Sequence, residues 1–249
     1  MNITKKAIIV LTVLCTLQIS FVNSFAANRH TIEIGANKTE TRSVSGYLGI
    51  QAHNGVQVYI TQGAAEKVSV TGSEDGLKRL KTEVKNGVLD IYVERTGWFW
   101  SGWSNNNEVF KVYVTIKEVN SLIAHSGANI YTTSKIKADK LTVKTHSGSY
   151  IKLEGDSNEL TCESSSGSQM ELIGSTKNFS IQTSSGSNVN AFRLLTETCS
   201  AQSSSGSNVD ISVSKQLTAN SSSGSHINYK GNPKIVSKNS SSGGEVSAH

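Results

Sequence analysis

The sequence predicts an all-β fold: a parallel, right-handed β-helix with rungs of about 19 residues, preceded by an irregular β segment. Three observations lead there. Apolar residues alternate with polar ones at period two in runs rich in Val, Ile and Thr. A Ser-Gly-Ser motif recurs at near-constant spacing, and apolar residues keep fixed positions relative to each copy.

The motif glycines are Gly127, Gly148, Gly167, Gly186, Gly206, Gly224 and Gly243, separated by 21, 19, 19, 20, 18 and 19 residues. Three residues after each stand Ile130, Ile151, Met170, Val189, Val209, Ile227 and Val246. Seven before the next glycine stand Leu141, Leu160, Phe179, Cys199, Leu217 and Val236. Five before it come Val143, Cys162, Ile181, Ala201 and Ala219, until Lys238 breaks the column. A flexible Ser/Gly linker would not hold apolar residues in register. A constant block with variable length at one place is how stacked strands behave, each rung ~4.8 Å from the next.

Within a block, the serines at glycine −3, −1 and +1 share the parity of the apolar positions. If the strand bends at the glycine, all three face inward at a tight corner, where stacked hydroxyls satisfy one another. The expectation is structural serines rather than a nucleophile, which needs a unique base and orienting acid.

Before the repeats, residues 44–118 alternate less regularly, as in Val56-Val58-Ile60 and Phe110-Val112-Val114-Ile116. Asn86-Gly87 reads as a hairpin turn, His53-Asn54-Gly55-Val56 as a divergent copy of the motif, and Glu74 to Leu80 as at most one helical turn. This half is expected to close the N-terminal end of the helix, whose strand edges need cover. Residues 119–249 form the repeat region, with a polar, fraying last coil.

Residues 1–26 read as a signal peptide: Lys5 and Lys6, an apolar stretch 7–22, and Ser24-Phe25-Ala26 at the cleavage point. A lipidated Cys15 is the lesser alternative, because Val13-Leu14 lacks the small residues such a site needs. Residues 27–43 are then a lead-in, and no later stretch reaches membrane-spanning length. Cleavage removes two lysines and no acids, lowering the formal charge from +5 to +3. That mild surplus does not suggest nucleic acid. Cys162 and Cys199 fall in different columns two rungs apart, too far for a disulfide, so two buried free thiols are expected.

Few residues suggest chemistry. An enzyme acting on polysaccharides is the rival class, and it would need clustered carboxylates. Glu154, Asp156 and Glu159 gather around Gly155, which a solvated loop explains. His125 and His146 should be outward neighbours on adjacent rungs, with no third ligand evident for a metal. The sequence points to no cofactor. An ice-binding face would favour threonine ranks that the outward serines at glycine −2 do not supply. One segment stands apart: Trp98, Phe99, Trp100 and Trp103 sit in a polar, glycine-bearing loop holding every tryptophan of the chain. Such aromatics cap an apolar end, mediate self-association, or bind a sugar face or partner.

The stretch G-V-x-V-x-I-T-Q-G (Gly55 to Gly63), then V-K-N-G-x-L-x-I (Val84 to Ile91), then the Ser-Gly-Ser repeats resembles the putative auto-transporter adhesin head GIN domain family over roughly residues 44–230. The resemblance implies an exported β-helical bacterial protein of the Bacteroidetes type, with no catalytic residues to carry over. The resulting expectation is a non-enzymatic module of the cell envelope, in the periplasm, at the outer-membrane surface or extracellular, that binds a glycan or a cell-surface protein; a carbohydrate-active enzyme is the runner-up and a purely structural envelope scaffold the third reading.

Overall fold

The computed structural model describes residues 37–94 and 108–249, and in them the chain winds as stacked parallel coils. The signal-peptide reading of 1–26 and the four aromatic residues of the loop lie outside the described residues. Among the described residues seventeen strands belong to a single sheet system.

The first coil is β2 (Gly49–Ala52) and β3 (Gln57–Gln62), joined through His53-Asn54-Gly55-Val56. It lies in register on β8 (Ser121–Ala124) and β9 (Asn129–Thr132), with Ala52 paired to Ala124 and Ile60 to Thr132. The divergent motif is thus a true rung. The series continues through β10 (Ile136–Thr145), β11 (Tyr150–Ser164), β12 (Gln169–Thr183), β13 (Asn188–Ser203) and β14 (Asn208–Ser221). It ends with β15 (His226–Lys230), β16 (Ile235–Ser240) and β17 (Glu245–Ala248). Each of β11 to β14 is long because it leaves one Ser-Gly turn, crosses a short third face, and enters the next turn. Register shifts between Glu171 and Ile173, and between Ala191 and Leu195, absorb the length differences outside the constant block.

The N-terminal end is closed by antiparallel strands. β6 (Val88–Val93) stacks parallel on β2, and β5 (Leu80–Lys85) pairs antiparallel with it through the Asn86-Gly87 hairpin. On the adjoining face β7 (Lys111–Ile116) lies parallel to β3, followed by antiparallel β4 (Lys67–Gly72) and β1 (Lys38–Arg42). The six-residue helix α1 (Glu74–Arg79) links β4 to β5, capped by the Ser73 hydroxyl, which accepts from the Gly76 N–H at 3.0 Å. Its acidic first turn and basic last turn suit the helix dipole. The far end is blunted differently. Every residue of β16 is exposed, and Lys238 stands in the inward column with its ammonium 4.5 Å from the Tyr229 ring. An inward charge on an edge strand discourages another strand from adding there.

The apolar columns predicted above form the core, with Val143, Ile151, Ile181, Val189, Val209 and Leu217 buried. Cys162 and Cys199 are buried and free, in columns two rungs apart. Burial pushes both thiols up, Cys199 to about 12, so neither forms thiolate at neutral pH. Alkylation of the folded chain near pH 8 should leave both unlabelled, and unfolding should expose both. Peptide mapping of the labelled cysteines reads this directly, and early labelling of either would contradict the burial.

The corner differs from expectation at one position. Serines at glycine −3 and +1 do face inward: Ser164, Ser168, Ser187, Ser203, Ser207, Ser221 and Ser225 are buried. The serine at −1 does not. Ser166, Ser185, Ser205 and Ser223 are exposed and hold φ of 53° to 57°, followed by glycines at 68° to 70°. The strand therefore does not bend smoothly. Two consecutive left-handed residues make a type I′ turn, closed by Ser168 N–H to the Ser165 carbonyl at 3.3 Å, and this throws both central residues outward. The turns stack on one another, as Gly167 N–H donates to the Ser185 carbonyl of the next rung at 3.0 Å.

The +1 hydroxyl staples rungs together. Ser149, Ser168, Ser187 and Ser225 donate to the −3 carbonyl of the preceding rung, at Ala124, Thr145, Ser164 and Ser203, over 2.8–2.9 Å. Ser149, Ser168 and Ser225 also accept from the −2 N–H of their own turn. These buried hydroxyls are satisfied in a space too small for larger side chains.

Candidate functional site

Four outward features compete as the site. The first is a histidine ladder. His125 and His146 are neighbours as expected, and His53 of the first rung extends them, with ring centroids 5.2 and 5.0 Å apart and planes within 13°. The copy of the motif at Asn54-Gly55 carried that signal in the sequence. Parallel stacking sets the ring nitrogens side by side instead of converging them, whereas zinc needs bonds of about 2.0–2.1 Å from tetrahedral directions. Among the described residues no cluster fits a metal.

His125 titrates below the ordinary imidazole value. Burial of its charged form is the main cause, repulsion by His146 and His53 adds to it, and Asp90 offsets part. With the folded value of His125 below the unfolded ~6.5, its contribution to stability is complete above that pH and is lost as pH falls through the folded value. The melting temperature should drop between about pH 7.5 and pH 5. His125→Ser, which installs the residue of the later rungs, should lessen that drop; an undiminished drop would remove His125 as its source.

A tyrosine ladder is the second feature, and sequence reasoning missed it. Tyr113, Tyr59 and Tyr131 stack with centroids 5.2 and 5.4 Å apart, and Tyr150 follows, tilted by 54°. The order β7–β3–β9 is not chain order, so no local spacing announces it; only pairing of Gly55 with Gly127 aligns Tyr59 with Tyr131. Stacked rings cover one another's faces, leaving edges outward. They stabilise the sheet by about 0.5–1.5 kcal/mol per pair but offer little flat surface to a sugar.

Third come the acids. The trio around Gly155 is dispersed: Asp156 bonds Lys135 at 2.7 Å, Glu159 bonds Lys140 at 2.9 Å, and Glu154 points to solvent. Glu163 bonds Lys144 of the preceding rung at 2.8 Å, and Glu197 bonds Lys215. The hydrogen-bonded ammonium of each partner lowers the Asp156, Glu163 and Glu197 carboxyls below the usual range. A general acid needs the opposite shift. The groove beside them, about 750 Å3, is lined by Asp156 and Glu197, both engaged with lysines, and by Asp139, which accepts from the Asn158 amide at 2.6 Å.

The fourth feature is the outward face of the strands that enter the last four Ser-Gly turns. Counting back from each glycine, position −8 is Asn178, Thr198, Gln216 and Ile235; position −6 is Ser180, Ser200, Thr218 and Ser237. Position −4 is Gln182, Gln202, Asn220 and Asn239, and −2 is Ser184, Ser204, Ser222 and Ser241. Not one of these sixteen carries a charge. The previous two rungs of the same columns carry Lys140, Lys144, Glu159 and Glu163. Positions −4 and −2 line a groove of about 500 Å3 running across the rungs. The inward serines are fully hydrogen-bonded, but among the described residues none of the eight side chains at −4 and −2 has a protein partner. They present a regular array of idle donors and acceptors.

Comparison with known proteins agrees with this architecture. The family described as "Putative auto-transporter adhesin, head GIN domain" matches residues 46–233. No curated protein matches the sequence. A solved structure of a putative lipid binding protein from Parabacteroides distasonis is 21% identical with a TM-score of 0.69, covering 87% of this chain and 98% of that one. A putative adhesin from Bacteroides fragilis is 16% identical with a TM-score of 0.74, covering 86% and 97%. One from Parabacteroides merdae is 15% identical with a TM-score of 0.69, covering 86% and 98%. At these identities the likeness is one of fold.

Proposed function

This chain belongs to the putative auto-transporter adhesin, head GIN domain family, and from that premise we propose that it is a non-enzymatic binding module of the bacterial cell envelope, exposed at the surface and holding a glycan. The observation that carries the reading is the groove in which Gln182, Gln202, Asn220, Asn239 and the four −2 serines face solvent with no protein partner, and whose one charged lining residue, Glu163, is paired with Lys144. Carbohydrate hydroxyls are both donors and acceptors, as side-chain amides and serine hydroxyls are, so the two surfaces match without ionised groups. The described helix α1 is far too short to cross a membrane, and no described helix does. Export by the 1–26 signal, in a Bacteroidetes-type cell, is part of the same proposal.

The segment bearing Trp98, Phe99, Trp100 and Trp103 is proposed as a second contact surface, for ligand or for self-association. It joins the described residues at Glu94 and Glu108, and the latter is anchored by Arg79 at 3.0 Å. Trp98→Ala/Trp100→Ala should leave the melting temperature of the repeat region unchanged while light scattering shows weaker association, or binding weakens. A large loss of melting temperature with unchanged association would assign the segment to closing the helix instead. The face itself is tested on an array of glycans and envelope proteins. The full chain should bind a glycan, and Gln202→Lys/Asn220→Lys should lose that binding; equal binding by both would remove the face from the site.

A further inference from the structure

We infer that the ligand of this face is an uncharged, linear polysaccharide lying along the helix axis, an inference that rests on the binding reading above. Charge is the first argument. At the chain's average of 17% charged residues, about three of sixteen positions would be ionised, and exposed strand positions are richer than average in such residues. A carboxylated or sulfated polymer is recognised by Arg and Lys, and this face offers none. The charges that bound it toward the N-terminus are spent on each other, as in Lys144 with Glu163 at 2.8 Å.

Direction is the second argument. Moving along the axis, an amide at −4 and a serine at −2 recur at every rung, Gln182 with Ser184 and Gln202 with Ser204 among them. The repeat is ~4.8 Å, comparable with the length of one pyranose ring. Across the strands the chemistry changes from column to column. A polymer that repeats the same hydroxyls at each unit therefore meets the same partners at each step only when it runs parallel to the axis.

A glycan suits this face better than a protein does. A peptide strand adds to a sheet through free backbone groups, but in this face the rung-to-rung ladder consumes the backbone except at the outer edge of β16, where Lys238 in the inward column discourages addition. Protein interfaces also centre on buried aromatic or apolar anchors, and Ile235 is the one apolar side chain among the sixteen positions. A surface of small hydroxyls and amides can grip a hydroxylated chain through many weak contacts, so affinity should rise with chain length.

Affinity electrophoresis of the full chain tests this, with gels containing galactomannan, a mixed-linkage β-glucan or polygalacturonate. At least one neutral polymer should retard the chain about tenfold more strongly than polygalacturonate, with little change on adding salt. Gln202→Lys/Asn220→Lys and, independently, Ser184→Lys should abolish the retardation with melting temperatures held within about 2 °C of the parent. Stronger retardation by polygalacturonate that Gln202→Glu/Asn220→Glu removes would overturn the neutral-polymer inference and keep the face as the site. Retardation by a neutral polymer that persists in both lysine variants would overturn the face as well. No retardation in any gel would overturn the polysaccharide assignment, and the array then decides whether the face binds anything else.

Discussion

Gly174→Ala is expected to be among the most destabilising single substitutions in the repeat region, costing about 4 kcal/mol, in the range reserved for severe steric or core defects. Gly174 has φ of +123°, and a Cβ there would sit 1.9 Å from the Gly155 carbonyl oxygen of the preceding rung. Gly155 is itself tight, with its would-be Cβ 2.8 Å from the Ile136 carbonyl. These glycines permit the close approach of rungs on the third face, where backbone meets backbone and nothing flexible can yield. The turn glycine Gly186 makes a sharp contrast. It also has positive φ, +70°, but no atom lies within 4 Å of its would-be Cβ. Gly186→Ala should therefore cost only the left-handed penalty of about 1–2 kcal/mol. For a domain of this size the difference is roughly 4–12 °C in melting temperature, readable by circular dichroism. Equal losses would mean that crowding on the third face is not what Gly174 relieves.

Ser187→Leu is expected to have the second-largest effect, and Ser184→Leu almost none on stability. Ser187, at glycine +1, is buried and its hydroxyl donates to the Ser164 carbonyl of the rung before at 2.9 Å. Leucine there overpacks the corner, at about 1–3 kcal/mol, and strands a buried carbonyl that loses one partner, at about 0.5–1.5 kcal/mol. Ser184, three residues earlier, faces outward into the groove. A leucine there should change stability by no more than about 0.5 kcal/mol while weakening ligand binding. Matching melting temperatures for the two variants would contradict the division of the turn into inward and outward serines.

Much of this was legible because the repeat prints its own register. Once Gly167, Gly186 and Gly206 are aligned, the inward columns through Cys162, Ile181 and Ala201 follow by counting, and so does the separation of Cys162 from Cys199. Parity failed only where the backbone left the extended region. Ser166 shares the parity of Ser164 and Ser168, yet its φ of +57° turns it outward, and alternation carries no information about left-handed residues. The tyrosine ladder was illegible for a different reason: Tyr113, Tyr59 and Tyr131 come from strands whose stacking order is not their chain order. For the candidate face the −2 serines were visible in the motif itself. The −4 amides were not singled out, because Gln182, Gln202, Asn220 and Asn239 matter by what they lack, a charge and a partner, and a missing partner is a property of the fold.

The central claim is that ligand lies on the uncharged face entered by the last four turns. Its most direct test is hydroxyl-radical footprinting of the full chain with and without the glycan that binds most tightly on the array. Protection should concentrate on the strands carrying Gln182, Gln202 and Asn220, leaving Tyr113, Tyr131 and His125 as reactive as in the free protein. Protection confined to the tyrosine ladder or to Trp98 and Trp100, with those strands unchanged, would contradict it.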